Sequence, residues 1–186
     1  MDCLVIKGGK PLKGEVKISG AKNAALPLMA ATLLTGEECT LRNLPNLSDV
    51  RFMSSILKSL GATVETGRGS IKVRAKKIEG FGDYDLIRKM RGSICILGPL
   101  MGRLKEAKIS MPGGCVIGAR PIDLHLKAMR DLGARISIKS GYVHAKTKDL
   151  RGAESFLGGR CGPTVLGTAN LMMAATLAKG KTVIHS

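Results

Sequence analysis

Residues 111–121 read MPGGCVIGARP, which places Cys115 after the pair Gly113–Gly114, ahead of Gly118, and five residues before Arg120. A thiol works as a nucleophile or proton donor only where it is accessible, and a neighbouring guanidinium lowers its pKa. Three glycines in six residues give a backbone too adaptable for a packed core. Spacing alone leaves two readings open, a reactive thiol on a loop or a small apolar residue in an ordinary turn. The other cysteines read differently. Cys95 stands between Ile94 and Ile96 as a core residue, and Cys3 and Cys39 lie in strand-like apolar runs. The five cysteines are scattered, odd in number and free of CxxC spacing, so neither a disulfide framework nor a structural zinc site is expected.

Further chemistry is suggested where apolar helices begin. SGAKN places Lys22 beside a helix start, with Asn23 as its N-cap and Pro27 in its first turn. KMRGS places Arg88, Lys89 and Arg91 ahead of a cap at Ser93. Arg120, Pro121 and Asp123 open a third helix, with Pro121 suited to its first turn. Unpaired N–H groups and cations gathered at one level of a fold make a site for phosphate or carboxylate. Taken singly, Lys22 and Arg91 read as solvated surface cations, Asn23 as a cap only, and His125 as an exposed residue on a polar face.

The elements that must hold these residues repeat. LKSLGATVET and MRDLGARISI align Gly61 with Gly133, 72 positions apart; AATLLTGEECTL and AATLAKGKTVI align Gly36 with Gly180, 144 apart, twice that period. Each unit reads as a nearly all-apolar helix (24–34, 93–104, 168–178), a short strand, an amphipathic helix and a strand hairpin. Val50, Met53, Ile56, Leu57 and Leu60 share one helical face, and Ile122, Leu126, Met129 and Leu132 share its counterpart, with Gly61 and Gly133 as stops. A helix apolar all round must be buried on all sides. The expectation is therefore an α/β (α+β) domain with pseudo-threefold symmetry around buried helices. Two units are complete and a third begins, which predicts a piece of a longer protein. From Pro45 to Gly61 is 16 positions, but from Pro112 to Gly133 is 21. The five extra residues fall in the cysteine stretch, and an insertion in one copy of a repeat is where function is added.

Bulk properties bound the function. The 186 residues are 44% hydrophobic and 24% charged, as in a globular protein, and no apolar run approaches the ~18 residues of a membrane span. The opening MDCLVIKGGK has too short an apolar segment for a secretory signal, so a cytoplasmic location is expected. A formal net charge of +16 calls for an anionic partner. Three Phe, two Tyr and no Trp favour small anionic substrates over stacked nucleic acid.

SGAKNAALP, KMRGSI, MPGGCVIGARPIDLH and NLMMAATLAKG together resemble the UDP-N-acetylglucosamine enolpyruvyltransferases (1-carboxyvinyltransferases), a branch of the EPSP synthase family, over the whole chain. The resemblance implies the fold of that family, an inside-out α/β barrel of two domains, of which about the first half is present. It implies transfer of the enolpyruvyl group from phosphoenolpyruvate to the 3'-hydroxyl of UDP-N-acetylglucosamine with release of phosphate, the first committed step of peptidoglycan synthesis. Cys115 would donate the proton to the methylene carbon and would be the thiol alkylated by fosfomycin. Lys22 and Arg120 would bind phosphoenolpyruvate, and Asn23 and Arg91 would contact the sugar nucleotide. Arg120, Pro121, Ile122, Asp123 and Leu124 would hold the uridine, and Arg160 and Gly162 would contact the uridine diphosphate, in a stretch, GGRCGPTVLGT, two residues longer than the usual pattern. The loop 111–121 would close as a lid, with no metal or organic cofactor. Residues 1–20 would pack with a C-terminal half that supplies an aspartate and another arginine, leaving 21–186 as an incomplete substrate domain, inactive alone. The alternatives are another enolpyruvyltransferase with a different acceptor and a basic nucleic-acid-binding module; neither nucleic acid nor membrane is the favoured partner.

Overall fold

The structure, a computed structural model, describes residues 3–113, 121–159 and 162–185. Its first repeat runs α1 (Lys22–Ala31), β1 (Glu38–Arg42), α2 (Ser48–Ser59), β2 (Thr63–Gly67) and β3 (Ser70–Arg74). A short helix α3 (Tyr84–Arg88) leads to the second repeat: α4 (Leu97–Leu104), β4 (Glu106–Ser110), α5 (Asp123–Asp131), β5 (Arg135–Lys139) and β6 (Tyr142–Lys146). Strand β7 (Glu154–Phe156) and a minimal hairpin of β8 (Gly158–Gly159) and β9 (Gly162–Pro163) precede α6 (Val165–Ala175) and β10 (Val183–His185), the start of the third.

The two complete units share one sheet topology. Their sheets have the orders β1-β3-β2 and β4-β6-β5, each with its last strand in the middle, antiparallel to both neighbours. The two outer strands of each sheet therefore run parallel and are joined by the amphipathic helix. Inward-facing Ile71 and Val73 of β3, and Val143 and Ala145 of β6, are buried beneath that helix, while their alternating neighbours face outward. Gly61 and Gly133 stop the two helices at φ +93° and +92°, a conformation that a Cβ disfavours. The repeat period and both hairpins thus stand as read from the sequence.

The apolar helices pack on one another at the centre, with α4 against α6 and α1 against the 3-10 segment Arg91–Ile96. Full burial holds only for the middle one, where Gly92 to Gly102 are all buried. Leu28 of α1 and Val165 and Met172 of α6 are exposed, since among the described residues these two helices have neighbours on one side. Arg103 crosses between units, donating to the carbonyls of Leu33, Thr35, Ala75 and Lys76 and so closing the end of the first apolar helix.

Several local readings are corrected. Helix α1 begins at Lys22 with Ala21 as its N-cap, so Asn23 lies inside the first turn and caps nothing. Pro27 is the sixth helical residue, and because it has no N–H it leaves the Asn23 carbonyl without its helical donor. Ser93 is buried within the 3-10 segment, its hydroxyl donating to the carbonyls of Ile87 and Met90 at 2.7 and 2.6 Å. Pro99 occupies the first turn of α4, where a missing N–H costs nothing, so the α-helix starts at Leu97 rather than 93. Pro121 precedes α5, whose N-cap is Ile122. His125, expected on the surface, is 2% exposed, because position 125 shares the face of Ile122 and Met129 and α5 lays that face on α6.

Cys95 is fully buried, and burial pushes its thiol up to about 12, so it stays protonated and inert. Cys39 lies half-buried in β1, whereas Cys3 is exposed and in no strand. Residues 3–19 are exposed throughout, including Leu4, Val5, Ile6, Leu12, Val16 and Ile18. Among the described residues no helix is long and apolar enough to cross a membrane.

Candidate active site

The site is built around the connection that differs between the two units. In the first unit β1 reaches α2 through residues 43–47; in the second β4 reaches α5 through 111–122. The second helix is also shorter, nine residues against twelve. Cys115 and Arg120 lie outside the described residues, but both stems of their segment are placed. On the entering stem, a Cβ built on Gly113 would lie 1.8 Å from the carbonyl oxygen of Arg88, an approach only glycine permits. On the leaving stem, the Arg91 guanidinium donates to the Pro121 carbonyl at 3.2 Å. Gly113 and Pro121 thus meet two residues three positions apart, Arg88 at the end of α3 and Arg91 at the start of the 3-10 segment.

Two more elements meet there. Leu124, in the first turn of α5, packs against Gly159, where an added Cβ would lie 3.2 Å from the leucine Cδ1. This contact brings the 121–124 segment to the β8–β9 hairpin, whose two tip residues, Arg160 and Cys161, lie outside the described residues. Gly162 follows the tip at φ +85° with open space beside it. Thr164 then caps α6, accepting from the Gly167 N–H at 3.1 Å. On the other flank, a Cβ on Gly92 would strike Leu26 Cδ1 at 2.7 Å, so the first turns of α1 lie against the Arg91 segment. Lys22 and Asn23 are both exposed at that start.

Of the sequence-derived candidates, Arg91, Pro121, Ile122, Asp123, Leu124 and Gly162 therefore converge around the stems and the hairpin, with Lys22 and Asn23 at the neighbouring helix start. Ile122 is buried and serves packing, while Pro121 and Asp123 are exposed. Three participants were missed by sequence reasoning. Asp49, in the first turn of α2, pairs with Lys22 at 2.9 Å, so the lysine is held by an acid rather than merely solvated. Its signal was an acidic first turn at the level of the other helix starts. The second and third are His125 and Asn170, a fully buried pair joined at 2.8 Å. Asn170 is the lone amide in the apolar helix α6, which is the signal that marks it. Burial and the Arg91 charge lower the His125 pKa to about 4, against a smaller opposing effect of Asp123.

Cations, helix starts and an exposed loop anchor suit an anionic ligand with a group that can receive or give a proton. A groove of about 490 Å³ opens elsewhere, between α2 and the β2–β3 turn, and none of the candidate residues lines it. No group of three or more His, Cys, Asp or Glu among the described residues is arranged to hold a metal ion.

Comparison with known proteins bears on which ligand. Residues 6–186 match the family model described as EPSP synthase (3-phosphoshikimate 1-carboxyvinyltransferase). The chain belongs to the EPSP synthase family. Within the family it is 54% identical over 185 residues to the UDP-N-acetylglucosamine 1-carboxyvinyltransferase of Methylacidiphilum infernorum, an alignment covering all of this chain and 44% of that protein. Proteins of the same name from Akkermansia muciniphila and Helicobacter pylori are 50% and 51% identical, with 100% and 99% of this chain and 44% of each relative covered. The chain thus spans less than half the length of these relatives. The fold is that of the enolpyruvyl transferase NikO from Streptomyces tendae, at a TM-score of 0.77 and 19% identity over 95% of this chain and 41% of that one. EPSP synthase from Acinetobacter baumannii superposes with a TM-score of 0.71 at 14% identity, with the same coverage.

Proposed function

We propose that this chain is the cysteine-loop half of a UDP-N-acetylglucosamine 1-carboxyvinyltransferase, a cytoplasmic enzyme of peptidoglycan synthesis. The single observation that carries the reading is that the residues flanking 114–120, Gly113 and Pro121, meet Arg88 and Arg91, close to the cationic helix starts. Identity of 50–54% to relatives of that name supports the choice of acceptor over another enolpyruvyltransferase.

In this reaction the sugar 3'-hydroxyl gives its proton to the aspartate of the second half and its oxygen adds to C2 of phosphoenolpyruvate, while Cys115 gives its own proton to C3 and is left as the thiolate, making a tetrahedral intermediate. Loss of a proton from C3 and of phosphate from C2 then restores the double bond in the product. Lys22 and Arg120 neutralise the phosphate and carboxylate of phosphoenolpyruvate. Asp49 holds the Lys22 ammonium in place until substrate competes for it. Asn23 and Arg91 contact the sugar nucleotide, Arg120 to Leu124 its uridine, and Arg160 and Gly162 its uridine diphosphate. Arg91 has a double duty, since it also fixes the Pro121 carbonyl at the edge of the uridine segment. The loop 111–121 excludes water once both substrates are bound. A second half of the protein completes the cleft, and residues 1–20 pack with it, a placement supported by the exposed apolar side chains of Leu4, Val5, Ile6, Val16 and Ile18.

The test is a chimera in which this chain replaces the matching 44% of the Methylacidiphilum infernorum relative. With both substrates it releases phosphate at a rate within about tenfold of the parent, and with Cys115→Ala it releases none. A folded chimera that binds neither substrate would refute the reading.

A further inference from the structure

The Asn170 amide has a determined orientation. Its Nδ2 donates to the Ile94 carbonyl at 2.9 Å and meets His125 Nδ1 at 2.8 Å, while its Oδ1 accepts from the Gly98 N–H at 2.8 Å. A flipped amide would set oxygen against the Ile94 carbonyl and N–H against the Gly98 N–H, losing both bonds in a fully buried place. Both Nδ2 hydrogens are therefore donated, one to Ile94 and one to His125. The imidazole must accept at Nδ1, which fixes it as the neutral Nε2–H tautomer. A proton on Nδ1 would oppose N–H to N–H, so protonation and this contact exclude each other. The charged groups acting on the ring are Arg91 of the 3-10 segment, which disfavours its protonation, and Asp123 of its own helix, which opposes that more weakly.

The bond has a mechanical consequence. Helix α5 carries Pro121–Leu124 at its start, and two polar ties hold that start to the 91–98 stretch: Arg91 to the Pro121 carbonyl and Asn170 to His125. The first tie is exposed; the second is buried and simultaneously grips Ile94 and Gly98. We infer that Asn170 is a positioning residue for the sugar-nucleotide site, locking His125 as the Nε2–H tautomer and through it the first turn of α5 against Arg91. The inference rests on the proposed function for the identity of the ligand, but not for the tautomer or the lock.

Asparagine in place of His125 keeps an acceptor near Nδ1, whereas glutamine places its amide near Nε2 and abandons Nδ1. In the chimera, Asn170→Ala and His125→Gln are expected to raise KM for UDP-N-acetylglucosamine about tenfold with kcat changed less than threefold. His125→Asn keeps KM within threefold of the parent. Long-range 1H–15N spectra of the unsubstituted chain at pH 7 give the pattern of a ring protonated at Nε2 alone. A ring protonated at Nδ1 overturns the inference even if a variant fails to fold. So does an Asn170→Ala variant with unaltered KM, or equal behaviour of His125→Gln and His125→Asn. A chimera without activity whose His125 carries the expected tautomer refutes the proposed function and leaves the lock standing.

Discussion

The first and second repeats are the same scaffold with different connections. Both have a strand, a helix and a hairpin closed by a positive-φ glycine, and both have one backbone approach that a Cβ would block. In the first unit Gly20 meets the Asn43 carbonyl, so the chain entering α1 is sealed onto a five-residue connection. In the second unit the order is reversed: Gly113 of the long connection is pressed onto the Arg88 carbonyl of the chain entering the buried helix. One connection is covered by a neighbour; the other presses its own glycine, Gly113, onto a neighbour. The first unit closes the same sheet with the short connection, so on the proposed reading the longer one serves chemistry rather than folding.

The largest effect comes from erasing the difference. Replacing 111–122 by the sequence of 43–47 should leave the far-UV spectrum and thermal midpoint of the chimera close to the parent while phosphate release falls at least 1,000-fold, roughly 4 kcal/mol of barrier. Unfolding on that exchange would mean that the insertion is structural. A smaller effect follows from acidification. His125 is neutral in the folded chain to about pH 4 but titrates near 6.5 when unfolded, so the unfolded state takes up the extra proton between these values. Stability is full above about pH 6.5 and declines toward pH 4 by up to roughly 3 kcal/mol, an order-of-magnitude figure from the shift. Urea midpoints across that range should show the decline, and His125→Asn should remove this part of it. Gly113→Ala should cost about 1–3 kcal/mol by the same assay, since the Arg88 backbone must yield. Asn46→Ala, in the short connection, loses one exposed bond from Arg51 and should change stability by less than about 1 kcal/mol. The smallest difference separates the paired stops. Gly61→Ala and Gly133→Ala should each cost about 1–2 kcal/mol for positive φ. The first should be the worse, because a Cβ there lies 3.0 Å from the Lys77 carbonyl and at Gly133 only 3.9 Å from that of Asp149.

Much of this comparison was readable from the chain itself. The 72-residue period, the hairpins and the longer connection follow from glycine spacing and hydrophobic periodicity, which are local signals. What was not readable depends on tertiary neighbours. Asn23 looked like a cap because amide side chains favour helix ends, but Ala21 already has the extended backbone of a cap and the helix begins two residues sooner. His125 looked exposed because histidine is polar, yet its spacing to Met129 put it on the buried face, and only Asn170, 45 residues on, makes that burial tolerable. The Lys22–Asp49 pair joins two helix starts 27 positions apart and has no sequence signature beyond charge. The resemblance named candidate residues, and the fold added contacts among and beside them: Gly113 on Arg88, Arg91 on Pro121, Leu124 on Gly159.

The claim that chemistry resides in the second unit's connection is tested most directly by mapping where fosfomycin attaches. The chimera, incubated with the epoxide and UDP-N-acetylglucosamine and then digested, should carry one adduct, on the peptide containing Cys115. Cys95 should stay unmodified because it is buried and protonated, and Cys3 because exposure alone does not activate a thiol toward this reagent. An adduct on Cys3 or Cys39, or a folded chimera that takes up none, would contradict the account.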